Sequence, residues 1–102
     1  MPYKVEFSPE ADQKIDTLPP MVASKLFDAI GRLECDDPYE LLEPWFFLFR
    51  YVPWYYSVQV EDDDGLTYSI KCGVTVHQST RTVWIAYIAW YPPHDGTYAI
   101  EP

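Results

Sequence analysis

The hydrophobic period changes partway along this chain and changes back, and few folds are compatible with that. Residues 3–7 (Tyr-Lys-Val-Glu-Phe) alternate, with Tyr3, Val5 and Phe7 on one side, which predicts a strand. Ser8-Pro9 then supplies a helix N-cap and a proline at the first helical position. Ala11, Ile15 and Leu18 follow at helical spacing and make one apolar stripe. Pro19-Pro20 stops that helix and starts another. Its face carries Val22, Leu26, Ile30 and Leu33, widened by Phe27 and Ala29. Asp36-Asp37-Pro38 closes it, because a residue before proline is pushed out of the α region. A strand followed by an antiparallel helix hairpin is expected.

The second half returns to period two. Tyr56, Val58 and Val60 alternate with Tyr55, Ser57 and Gln59, and Asp62-Asp63-Asp64-Gly65 makes a polar turn. Tyr68, Ile70, Cys72, Val74 and Val76 share a face against Ser69, Lys71, Gly73, Thr75 and His77. After a turn over Gln78–Arg81, residues 82–90 are apolar on both faces, Val83, Ile85 and Tyr87 against Trp84, Ala86 and Ile88. That pattern predicts a central strand, ended by Pro92-Pro93. The expected class is α+β, with both helices on one face of a mostly antiparallel sheet. Residues 1–102 are expected to form a single domain, since no linker or repeat divides them.

Residues 45–56 fit no simple period, yet they hold 8 of the 18 aromatic residues. One reading makes them a strand with edge packing that enlarges a small core. The other makes them a platform for a partner, with Trp45, Phe47, Trp54 and Tyr55 as anchors.

Charge narrows the functional classes. Seven Lys and Arg stand against 16 Asp and Glu, a formal charge of -9. Such a field repels phosphates at long range, so direct binding to free nucleic acid is disfavoured. No apolar run reaches the roughly 20 residues that span a bilayer. The first residues lack the apolar core of a signal peptide, so a soluble, cytoplasmic chain is expected. Cys35 and Cys72 have no metal or redox spacing and read as two reduced thiols. The Asp62–Asp64 run lacks the spaced ligands of a calcium loop. No metal or cofactor is implied.

In order and in residues the chain resembles the RelE/ParE toxin superfamily of type II toxin–antitoxin modules. Tyr3 through Ala11 resembles the opening strand and first helical turn of that family. Ile15 to Pro20, then Ala29-Ile30, Leu33 and Asp37-Pro38-Tyr39, resembles its helix hairpin. Val74-Thr75-Val76 and Thr82 to Tyr87 resemble its last hairpin, whereas residues 40–67 are longer and more aromatic than the family pattern.

The resemblance implies an antitoxin partner and a cellular target, the ribosome or gyrase. Members with RelE activity cut mRNA on the ribosome, using bases around the concave sheet face and a C-terminal tyrosine. Registering the last hairpin on Val76 and Trp90 puts Lys71 where the family has an arginine, and Tyr98 on the tyrosine. Pro92 falls where the family has a second arginine, which would steady charge building on the phosphate. The family's lysine pair has no match, and Arg50 is the nearby base. His94, beside Asp95, could supply the acid or base in its place. As ordinary residues Lys71, Tyr98 and His94 would be a solvated lysine, a tail tyrosine packed on the sheet and a turn histidine. The implied site is degenerate. A toxin acting by protein binding is therefore expected, with a ribosome-dependent endoribonuclease and a non-toxic interaction domain as alternatives.

Overall fold

The computed structural model describes residues 1–49 and 52–91 and, of residues 45–49, 52 and 53, the backbone alone. Strand β1 (Lys4–Phe7) leads into helix α1 (Pro9–Ile15) and helix α2 (Pro20–Ile30). Four strands follow: β2 (Glu43–Phe49), β3 (Val52–Glu61), β4 (Thr67–His77) and β5 (Thr82–Tyr91). They form one sheet in the order β1-β5-β4-β3-β2, with β1 parallel to β5 and every other pair antiparallel. This is the expected α+β arrangement. No helix among the described residues is long and apolar enough to cross a membrane.

Local chemistry sets the helix ends. Ser8 Oγ accepts from the Ala11 amide at 3.0 Å, and Pro9 occupies the first helical position. The second helix ends earlier than the Asp36-Asp37-Pro38 signal suggests. Gly31, a poor helix former, opens a tighter 3₁₀ turn over Gly31–Leu33, which still buries Leu33 completely.

Both helices cover the same face of the sheet, α1 against β5 and α2 against β3. Ala11, Ile15, Leu18, Val22, Leu26, Ile30 and Leu33 pack there on Tyr56, Val58, Val60, Ile70, Cys72, Val74, Val83, Ile85 and Ile88. Each fully buried aliphatic side chain of this core contributes about 1.5–3 kcal/mol over an exposed one. Phe27 departs from the expected buried face. It is 44% exposed and meets Phe7 edge-to-face at 5.6 Å, at the margin of the layer.

The last strand, apolar on both faces, lies inside the sheet between β1 and β4, as expected of a central strand. Strict alternation does not persist along it. Gly73 pairs with Tyr87 but Val74 pairs with Ile85, so Ala86 is an extra residue on β5. This bulge keeps Val83 and Ile85 in the core before it and Ile88 in the core after it. Tyr87 is thereby turned to the opposite face from Val83 and Ile85. The Ala86 carbonyl released by the bulge accepts from Ser8 Oγ at 2.6 Å, and the Ile85 carbonyl accepts from the Ser8 amide at 3.0 Å. One serine therefore caps α1 and holds the bulge.

The aspartate run is a hairpin turn. Asp62 Oδ1 accepts from the amides of Asp64 and Leu66, both at 2.9 Å, and Gly65 takes the left-handed φ of 79°.

Candidate functional site

The sheet face away from the helices collects the side chains that could do chemistry. Because Ile70, Cys72 and Val74 point into the core, Lys71 and Gly73 belong to the other face. Pairing aligns Tyr55, Gly73 and Tyr87 in one row across β3, β4 and β5, and Ser57, Lys71 and Ala89 in the next. Lys71 is exposed, with its Nζ 5.0 Å from the centroid of the Tyr55 ring. A Cβ on Gly73 would lie 2.3 Å from Cε1 of Tyr87, so the tyrosine ring lies directly on the glycine backbone. The centre of the open face is thus an ammonium group beside two tyrosines, a surface suited to one anionic group or to an aromatic and polar partner.

A complete acid–base site does not assemble among the described residues. His77 is on the same face but six residues along β4 from Lys71, roughly 20 Å at the rise of a strand. The two cannot act on one atom. Arg50, His94 and Tyr98 lie outside the described residues. No group of three His, Cys, Asp or Glu among the described residues is arranged to hold a metal ion.

The aromatic segment divides between faces. Trp54 is half-buried on the helix side, where its ring meets Tyr39 at 5.2 Å and packs against the core. Tyr55, its neighbour in β3, is on the open face with Lys71. The two do not share a docking surface. Trp45 and Phe47 belong to the edge strand β2, for which the backbone alone is described.

Sequence reasoning did not single out Gly73 and Tyr87 as a functional pair. A signal for them existed, because an isolated glycine inside an otherwise β-forming run marks close approach of another group. The residue that fills the space could not be found by alternation, since the bulge reverses Tyr87.

Two buried groups show how the core biases ionisation. Burial pushes the Cys72 thiol up to about 12, so it is a neutral filler. Burial also raises Tyr56 above the usual tyrosine value, opposed by the nearby Arg32 guanidinium; its hydroxyl donates to the Ala29 carbonyl at 3.0 Å.

No protein-family model matches the chain, and no curated protein matches it significantly. Among solved structures it is similar to a chain of the RelBE2 toxin–antitoxin complex from Mycobacterium tuberculosis. The TM-score is 0.61 at 22% identity, and the match covers 89% of this chain and 100% of that one. At that identity the likeness speaks for the fold.

Proposed function

We propose that this chain, which has a RelE-like toxin fold, is the toxin or toxin-like component of a type II toxin–antitoxin module and acts mainly by binding proteins. The observation that carries this reading is the match along the whole length of a chain taken from a toxin–antitoxin complex. Two further features support binding over RNA cleavage. The charge of -9 opposes approach to a polyanion such as the ribosome, and each phosphate contact would need a local cation. Lys71 is the one cation at the centre of the open face among the described residues. An antitoxin segment would engage the aromatic surfaces around β2 and β3, and toxicity would come from occupying a cellular protein such as gyrase.

Inducible expression tests the reading. Growth should stop, and co-expression of the product of an adjacent short reading frame should restore it through a complex that co-purifies. Normal growth with no complex would leave only the fold in common with toxins.

The placement of Lys71 beside Tyr55 favours one second reading, a ribosome-dependent endoribonuclease. There Lys71 would stabilise phosphate charge, and Tyr98, His94 and Arg50 would share orientation and proton transfer. Losing one such charge contact typically costs about a hundredfold in rate. Cleavage of ribosome-bound mRNA that survives both Lys71→Ala and Tyr98→Phe unchanged would refute that assignment.

A further inference from the structure

Strand β1 ends the sheet on one side, with β5 as its neighbouring strand and no other among the described residues. The amides of Lys4 and Ser8 donate to the carbonyls of Arg81 and Ile85, both at 3.0 Å. Alternation then turns the backbone groups of Tyr3, Val5 and Phe7 outward.

An outward row of this kind is a template for another strand, the more so beside exposed apolar side chains. Val5 and Phe7 are half-buried at the margin of the core, and Phe27, 44% exposed, meets Phe7 there. The strand has neither proline nor bulge to blunt it. Net charge gives it little protection, because salt at physiological strength screens charges beyond about 8 Å.

What does stand along this edge is the stretch after the 3₁₀ turn Gly31–Leu33. At Glu34 the backbone leaves the helical region, with ψ at 69°. The Cys35 carbonyl accepts from the Tyr3 amide at 2.9 Å, and Glu34 Oε2 accepts from the Val5 amide at 3.1 Å. The first bond depends on the path of the chain. The second depends on one side chain, which is exposed and forms no ion pair among the described residues. Asp36 and Asp37 follow it, both exposed.

We infer that the Glu34 carboxylate guards the β1 edge: by occupying the Val5 amide it denies that edge to a second copy of the chain and keeps the protein monomeric. A carboxylate suits the task because it accepts and cannot donate. A strand that approaches finds the amide taken, no new donor to pair with, and a negative charge in its way. The inference does not rest on the proposed toxin function and is tested without growth arrest.

The experiment is hydrogen exchange by NMR, with sedimentation velocity, on the ¹⁵N-labelled full chain and on Glu34→Ala and Glu34→Gln. In dilute Glu34→Ala the Val5 amide should exchange about tenfold faster, the value of one charge-assisted bond, while the Lys4 and Ser8 amides keep their rates. Toward millimolar concentration this variant should self-associate and its Val5 amide should become protected again, whereas the unsubstituted chain should stay a monomer. Glu34→Gln keeps an accepting oxygen at the same reach, so it should stay monomeric with an intermediate Val5 rate. Lys4 and Ser8 amides accelerated as much as Val5 would overturn the inference by showing that Glu34 holds the strand rather than its edge. A Gln variant that associates as readily as the Ala variant would overturn it in favour of charge alone. A Glu34→Ala chain that is still monomeric at millimolar concentration, or one that associates with Val5 left labile, would overturn it as well. If Glu34→Ala fails to fold, the Gln variant and the unsubstituted chain decide. A Val5 amide in the latter that exchanges at the rate of an unstructured chain would refute the guard.

Discussion

Substituting alanine at Gly73 should destabilise the protein through one identifiable neighbour. A Cβ there would meet Cε1, Cδ1 and Cζ of Tyr87 at 2.3, 2.7 and 2.9 Å. Ordinary van der Waals contact begins near 3.4 Å, so the ring must retreat by about 1 Å. Tyr87 is only 8% exposed and is anchored in a paired strand beside the bulge at Ala86, so the ring cannot swing freely into solvent. Overpacking of this kind costs about 1–3 kcal/mol. For a chain of 102 residues that lowers Tm by roughly 4–24 °C at 4–8 °C per kcal/mol. Equilibrium unfolding in urea gives the free energy, and an unchanged m-value shows that compactness is preserved. The decisive comparison is a double-mutant cycle with Tyr87→Ala. With the ring gone, Gly73→Ala should become neutral or stabilising, because alanine also reduces the freedom of the unfolded chain. An equal penalty in both backgrounds would refute the reasoning and place the cost in the backbone.

Ser8→Ala should cost about 2 kcal/mol, more than an ordinary cap, because it removes the α1 cap and leaves the Ala86 carbonyl at the bulge without its donor; thermal unfolding beside Gln13→Ala, an exposed control in the same helix, measures it. Tyr56→Phe should cost about 0.5–1.5 kcal/mol at neutral pH through the lost bond to Ala29. Since burial raises the Tyr56 pKa in the folded chain, its contribution is whole below pH 10 and lost as pH rises through 10 toward the folded value, so alkaline unfolding should be less steep in the variant. Under native conditions at pH 8 one thiol should react readily with a disulfide reagent, Cys35, which is partly exposed, while Cys72, fully buried and raised to about 12, should react only after unfolding. Equal rates would show that the core opens more easily than its packing implies.

Much of the architecture was legible before any coordinates, because it depends on local patterns. Ser8-Pro9 starts a helix wherever it stands before an amphipathic stripe, and Val58, Val60, Ile70, Cys72 and Val74 go inward by period two alone. Asp62 and Gly65 likewise specify their turn through their own backbone chemistry. The site was less legible. Lys71 could be assigned to the open face from alternation, but its position over Tyr55 depends on the register between two strands. Trp54 and Tyr55 are adjacent in sequence yet end on opposite sides of the sheet, so an aromatic cluster read as one surface becomes two. The single extra residue at Ala86 has the largest consequence. It reverses Tyr87, fits that ring to Gly73, and exposes a carbonyl that Ser8, 78 residues away, satisfies. Local sequence fixes periodicity and caps because they depend on neighbours a few bonds apart. Bulges, strand order and the length of an unpaired edge are decided by pairing between distant segments, where the free energy belongs to two strands at once and to neither alone.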